Sequence, residues 1–302
     1  MIGSTALQNV SNATIQVPVT SGPYFFGCRF YPGGVIGAGE NLFSFLDNSG
    51  QPQVTFQTNT NGTITAKRGS GNGTVLGTSS TSVVLIDGTA CYIEFGCFCN
   101  GSTGTIAVYI NGTQVLSLTA QNTQGQGTTN IGAAQFYGAN LNNYVQDIYV
   151  CDSTTTLNNT FLGDVVCTGY NPNGAGSVGL NQYTPNGAAT VYQSVAAATP
   201  TDSTVFASDS TVGDRMSNTF PPTAATTILA VGHVSRYKKT ASGTRTGSQT
   251  ITSNGVDAIA SPNSPGTSYA YYLQISQTDP NTGLPYTQSG FNQLQAGLET
   301  VS

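Results

Sequence analysis

The chain has 302 residues, of which only 7% are charged, and its formal net charge is −5. Typical domains carry about 25% charged residues, so this surface is built mainly from Gly, Ser, Thr, Asn and Gln, while 38% hydrophobic residues with 15 Tyr and 13 Phe exclude a disordered chain. The acidic balance argues against a nucleic-acid partner, which needs cations to neutralise phosphates, and no run approaches the roughly 18 apolar residues of a membrane span.

Residues 1–20 show neither a basic n-region nor a continuous apolar h-region, so no secretory signal is read there. The expectation is a chain made in a cytoplasm that reaches the exterior by assembly into a particle. Ile15, Val17 and Val19 alternate, and Pro18 restricts that stretch to an edge strand. Tyr24–Tyr31 reads as a strong strand closed by Pro32-Gly33-Gly34, and Leu42–Leu46 is apolar on both faces. Short strands are predicted at Val54–Phe56, Thr63–Thr65 and Thr74–Leu76, and Val83–Ile86 leads to the Asp87-Gly88 turn. Strands this closely spaced, separated by Asn/Gly turns, indicate a sandwich or barrel.

The anchor of this half is Cys91–Leu118. Cys91, Ile93, Phe95, Cys97 and Cys99 alternate with Tyr92, Glu94, Gly96 and Phe98, the period of a strand with one face in a core. Ile106, Val108 and Ile110 repeat the pattern, and Asn111-Gly112 favours a type I′ turn into the return strand at Val115–Leu118. Such a three-stranded meander needs a second layer over its apolar face. A loop follows, and then the strand Tyr144–Val150, with Tyr144, Gln146, Ile148 and Val150 read on one face.

The hairpin TGTIAVYINGTQV resembles the signature hairpin of laminin-G-like, concanavalin-A-like jelly rolls. Further on, FLGDV (161–165) and NPNGAGS (171–177) begin a series of short blocks in constant order. It continues through Gln182-Tyr183-Thr184-Pro185, Tyr192–Val195, SDSTVGDR (208–215), Ile228–Val231 and TRT (244–246). Tyr269–Leu273, TDPNTG (278–283) and the C-terminal NQLQAGLETVS complete it. Over roughly residues 90–302 this resembles a family of tailed-bacteriophage virion proteins. The departure is the absence of Trp, with Tyr183 and Tyr286 in blocks where that family often has it.

The resulting expectation is an all-β chain. An N-terminal jelly-roll sandwich over 1–167 is followed by a smaller β-sandwich domain over 168–302, the glycine-rich stretch 168–185 serving as linker. In the second domain, strands are read at Thr190–Tyr192, Ile228–Val234, Thr250-Ile251 and Tyr269–Ile275. One short C-terminal helix is expected, with Ser289 as N-cap, Phe291, Leu294 and Leu298 on one face, and Gly297 as its stop.

Little catalytic chemistry can be assembled. Retaining glycoside hydrolysis needs two carboxyls about 5–5.5 Å apart, and Glu40, Glu94 and Glu299 have no second Glu on their strands. Glu94 is read as a solvated strand position. His233 is the single histidine, no G-x-S-x-G elbow exists, and a structural or surface role is expected for it. Asp47, Asp87, Asp147 and Asp152 are weighed as calcium ligands, as laminin-G-like domains sometimes provide, but no D-x-D or EF-type spacing accompanies them. No metal or cofactor is assigned. The six cysteines (28, 91, 97, 99, 151 and 167) are read as buried free thiols, with disulfides to Cys28 or Cys151 left open. Six N-x-S/T sequons, at Asn12, Asn61, Asn72, Asn100, Asn111 and Asn158, are attributed to composition.

Arg236, Lys238, Lys239 and Arg245 are half of the eight basic residues, gathered around one hairpin, SRYKKTASGTR. They are candidates for contact with an acidic partner, another virion subunit or an anionic glycan, against the alternative of a solvated tip. Phe291, Leu294 and Leu298 are candidates for contact between copies, against the alternative of capping their own core. The resemblance implies a non-enzymatic virion protein of tail, neck or capsid surface. Its partners would be other virion proteins and copies of itself, trimers included. A carbohydrate-binding, receptor-recognising appendage for a host surface glycan is the competing reading.

Overall fold

A computed structural model describes residues 7–8, 13–20, 22–33, 36–125, 127–137, 144–177, 181–196, 201, 203–241 and 243–302. Asn12 and residues 178–180 of the expected linker lie outside the described residues. The chain divides into two compact units, Met1–Thr168 and Gly169–Ser302.

In the first unit the strands are β1 (Leu7–Gln8), β2 (Ala13–Thr20), β3 (Tyr24–Tyr31), β4 (Glu40–Leu46), β5 (Pro52–Thr58), β6 (Ile64–Arg68), β7 (Thr74–Thr78), β8 (Cys91–Phe98), β9 (Gly104–Ile110), β10 (Thr113–Gln121), β11 (Ile131–Phe136) and β12 (Tyr144–Asp152). They form two six-stranded sheets, ordered β1-β12-β3-β8-β9-β10 and β2-β11-β4-β5-β6-β7. The result is a jelly-roll β-sandwich. Pro18 sits on β2, an edge strand, where its missing N–H interrupts no ladder. Asn111 and Gly112, at φ 48° and 75°, make the tight turn between β9 and β10.

Alternation fills the space between the sheets. Phe26, Cys28, Ile93, Phe95 and Cys97 meet Phe43, Phe45, Val54 and Phe56 from the opposite layer. Phe43 is central, its ring 4.7 Å from those of Phe26 and Phe95 and 5.0 Å from that of Phe45. Two sequence readings need correction here. Ile131–Phe136, read as part of a loop, forms β11 between β2 and β4; nearly all of it is buried, so it lacks the polar alternation that marks a half-exposed strand. On β12 one extra residue at Asp147 (φ 54°) shifts the register against β3, so that Val145 and Ile148 both enter the core and Tyr149 turns outward.

The second unit contains β13 (Gly174–Ala175), β14 (Thr184–Asn186), α1 (Val191–Val195), β15 (Phe206–Ser208), β16 (Arg215–Thr219), β17 (Val231–Tyr237), β18 (Gly247–Ser253), β19 (Val256–Ile259), β20 (Ala270–Ser276), α2 (Gln288–Phe291) and β21 (Gln295–Thr300). A five-stranded sheet, β13-β16-β21-β18-β19, is joined by two ribbons, β14-β15 and β17-β20. Thr190 is the N-cap of α1 rather than part of a strand, its hydroxyl accepting the Gln193 N–H. At the C terminus the helix is a single turn capped by Thr287, not by Ser289, and Leu298 lies on β21. Helical spacing of Phe291, Leu294 and Leu298 is overridden because β21 is an interior strand paired on both sides. Gly297 permits this, since a Cβ there would collide with the Met216 carbonyl. Apolar cores are small, comprising Val191, Met216 and Leu298 in one cluster and Ile251, Tyr286 and Leu294 in another.

Truncating the ring at the centre of the first sandwich tests this packing. Phe43→Ala is expected to cost about 3–5 kcal/mol, read as a lowered urea midpoint. An unchanged midpoint would show that the aromatic cluster does not hold the sheets together.

Candidate functional site

The outer face of the β12-β3-β8-β9 sheet carries the first unit's most constrained side chains. Register places Tyr149, Gly27, Glu94 and Tyr109 in one row across it, and Phe25, Gly96 and Ala107 in the next. Because Gly27 has no side chain, the Tyr149 ring lies flat over β3, where a Cβ would strike it. The hydroxyl thereby reaches β8 and donates a short hydrogen bond to Glu94 Oε1. Burial, and then the hydrogen bond to Glu94, pushes the Tyr149 phenol far above its ordinary range.

The segment 157–167 closes over this row. Leu162 N donates to the Tyr149 hydroxyl (3.1 Å) and Gly163 N to Glu94 Oε1 (2.9 Å). Asp164 pairs with Arg29 at 2.6 Å, and Cys167 N donates to Asp147 Oδ1 at 2.9 Å. Phe161 drops onto Gly96, where a Cβ would come within 2.5 Å of its ring, between Phe25 (4.9 Å) and Tyr109 (4.7 Å). Glu94 is consequently 2% exposed, which corrects its reading as a solvated position. Sequence reasoning missed the strap because FLGDV has no periodicity; the one available signal was two glycines, Gly27 and Gly96, on a face otherwise lined by large side chains.

Beside the strap lies a groove of about 370 Å³, lined by Phe25, Phe98 and Phe161 with Thr105, Ser117 and Thr119 among its polar groups. The carboxylates weighed as calcium ligands are held apart by separate backbone duties. Asp47 accepts from Ser49 N and Gln51 N, Asp87 from Ile36 N, and Asp152 from Thr154 N. Asp147 serves Cys167 N and Arg29. Among the described residues no three His, Cys, Asp or Glu side chains group to hold a metal. All six thiols are free, and burial pushes Cys91 and Cys151 up to about 12 and Cys99 to about 11, so they stay protonated at neutral pH.

In the second unit the cationic candidates do not form a hairpin. β17 pairs with β20, and β18 with β19 and β21, so the chain from Lys238 to Thr246 crosses between sheets. Arg236 stacks over Tyr269 (4.8 Å) and Tyr271 (5.3 Å), and Lys238 over Tyr269 (4.6 Å). Lys239 and Arg245 donate to the Gly243 and Ser210 carbonyls. Arg236 and Lys238 are thus brought together by two tyrosines that the sequence reading did not single out. Leu294 and Leu298 are buried in separate core clusters, and Phe291 packs against Tyr170 at 5.6 Å. His233 faces Gln274 across the ribbon, and Gln249 of β18 donates to the His233 carbonyl (2.7 Å).

No protein-family model matches the chain, and no curated protein matches it. Among solved structures it is similar to the galectin LEC-6 of Caenorhabditis elegans, at 15% identity over 49% of this chain and 96% of that one, with a TM-score of 0.35. It is also similar to the alginate lyase Aly36B (16% identity, 48% and 77% covered, TM-score 0.32). A third is the native heptameric SAP-like pentraxin of Limulus polyphemus (16%, 50% and 71%, TM-score 0.33). At such identities the similarity concerns the fold alone. No helix among the described residues is long and apolar enough to cross a membrane.

Two outcomes are expected from these sites. Tyr149→Phe leaves the Leu162 N–H without its acceptor and removes one of the two donors to Glu94 Oε1, costing about 1–3 kcal/mol; amide exchange at Leu162 should accelerate, and unchanged protection there would sink the strap assignment. His233 is lowered by burial from 6.5 to about 4, against a smaller upward push from its hydrogen bond to the Thr250 backbone. Since the unfolded chain then binds the proton more readily, this contribution to stability is full above pH 6.5 and lost as pH falls towards 4. His233→Gln should flatten the difference in melting temperature between pH 7 and pH 5 relative to the unmodified protein.

Proposed function

We propose that this chain is a non-catalytic structural protein of a tailed-bacteriophage particle, carried on its tail, neck or capsid surface and acting by assembly and surface binding. The observation that carries the non-catalytic part is the use made of the carboxylates. Glu94, Asp47, Asp87, Asp147 and Asp152 each accept backbone N–H groups that fix loops or the strap. A carboxylate so committed is a structural acceptor rather than a general acid or base open to substrate. The ordered sequence blocks from FLGDV to NQLQAGLETVS support the virion part. A sparsely charged surface of Thr, Ser, Asn and Gln suits broad polar contacts that cost little to desolvate.

A second reading, glycan binding, is favoured by the groove beside the strap. Aromatic faces at Phe25, Phe98 and Phe161 and hydroxyls at Thr105, Ser117 and Thr119 are the groups that stack on and hydrogen-bond a sugar. Co-expression with the particle's other structural proteins, followed by sedimentation, is expected to bring the chain down with particles. Recovery only in the supernatant would overturn the virion reading. Glycan-array binding that disappears in Phe98→Ala would replace it with the second.

A further inference from the structure

The β17-β20 ribbon leaves one face bare. Its register opposes Gly232 to Ile275, Val234 to Leu273 and Arg236 to Tyr271, and directly opposed residues on paired strands share a face. On that face Val234 is 58% exposed, Leu273 46%, Ile275 47% and Tyr271 66%. The reverse face is tied to β18, where Gln249 Nε2 donates to the carbonyls of His233 (2.7 Å) and Tyr272 (2.9 Å). An apolar stripe of this kind with a polar rim is characteristic of a contact surface. It has a cationic end, where Arg236 and Lys238 lie over Tyr269.

A surface of matching chemistry is carried by the same unit. The loop from β15 to β16 reads Asp209-Ser-Thr-Val212-Gly-Asp214, and Val212, between the two carboxylates, is 54% exposed. Asp209 accepts from Thr211 N and Asp214 from the Gln182 side chain, which fixes the shape of the loop. Desolvation and then the neighbouring Asp209 push the Asp214 carboxyl above its usual range, and Arg245 reaches the same loop at the Ser210 carbonyl.

Building on the proposal that the chain acts by assembly, we infer that the bare ribbon face docks a second copy of this chain, with Val212 of the arriving loop set against Val234 and Leu273 and its carboxylates against Lys238 and Arg236. The two patches differ, so the contact is heterologous. They also lie at one end of the unit. Gly213 N donates to the Thr300 carbonyl, Thr300 is opposite Gly247, and the Tyr237 hydroxyl donates to the Gly247 carbonyl. Loop and cationic end therefore lie toward the same end of the strands. A heterologous contact gives a ring where its rotation closes and a filament where it does not, and the closed case is the one inferred.

Sedimentation equilibrium of the purified full chain is the test. The unmodified protein is expected to associate into a closed species of fixed stoichiometry, weakened by added salt as its charge contacts are screened. Leu273→Arg, Lys238→Asp and Asp209→Lys are each expected to weaken association at least tenfold, with melting temperatures showing that each variant folds. Lys238→Asp combined with Asp209→Lys in one chain restores the pairing with signs exchanged and should recover most of the association. A monomer at the highest soluble concentration, association untouched by Leu273→Arg, or no recovery in the exchanged variant would each overturn the inference. If the ring forms but the chain does not sediment with particles, the contact stands and the virion reading fails. If the chain enters particles while the purified protein stays monomeric, the reverse holds.

Discussion

The first unit depends on one crossing. Tyr149 reaches over β3 to Glu94 on β8 because Gly27 between them has no side chain. Without that crossing, Glu94 would be a buried carboxylate held by the Gly163 N–H alone, and a buried charge with so few partners is costly. With it, Glu94 and the Tyr149 hydroxyl become acceptors for two consecutive backbone N–H groups, at Leu162 and Gly163. The strap then has its polar groups satisfied and Phe161 has a seat on Gly96. The bulge at Asp147 belongs to the same arrangement. By adding a residue it turns Tyr149 outward, and its own carboxylate holds Cys167 N further along the strap.

The two units solve the problem of low charge differently. In the first, a dense aromatic cluster centred on Phe43 supplies cohesion, and the polar side chains that are buried, such as Ser44, Gln53, Thr55 and Thr58, surround that cluster with hydrogen-bond partners of their own. In the second, the apolar clusters are small and the buried strand β18 is largely polar, with Ser248, Gln249, Thr250, Thr252 and Ser253 all enclosed. Cohesion there depends on side-chain amides bonding to backbone, as Gln249 does to both strands of the ribbon. Such networks fix geometry well but contribute modestly to stability per bond. A partly buried imidazole in that layer, at His233, makes the second unit responsive to mild acid.

The sandwich was legible wherever large apolar residues alternate with polar or small ones in the sequence, including β8, both of whose faces are buried. β3 coincides with the Tyr24–Tyr31 reading, and the meander β8-β9-β10 was marked by alternation and by Asn111-Gly112. Legibility failed where that contrast disappears. β11 has both faces covered, the bulge on β12 reverses the alternation within a strand, and β21 carries apolar residues whose spacing suits a helix equally well. The candidate sites were less legible still. Glu94 looks solvated until the strap is in place, and the cations at Arg236 and Lys238 could be listed by type but not joined to Tyr269 and Tyr271, which come from a strand more than thirty residues away.

That last separation follows from topology. β17 and β20 pair with each other while β18 and β19, which intervene in sequence, belong to the neighbouring sheet. The ribbon is consequently a separate layer, bonded to the sheet through one face and open on the other. A two-stranded sheet has little stability of its own, so it is held by the Gln249 ties to β18 together with the packing of Val231 and Tyr237 against the unit's apolar clusters. Among the described residues the apolar side chains at Val234, Leu273 and Ile275 are left half-exposed, although each resembles a core residue in type. Beside them the exposed Lys238 lies over Tyr269. The docking we infer therefore uses a face whose residue types the sequence alone would assign to the interior.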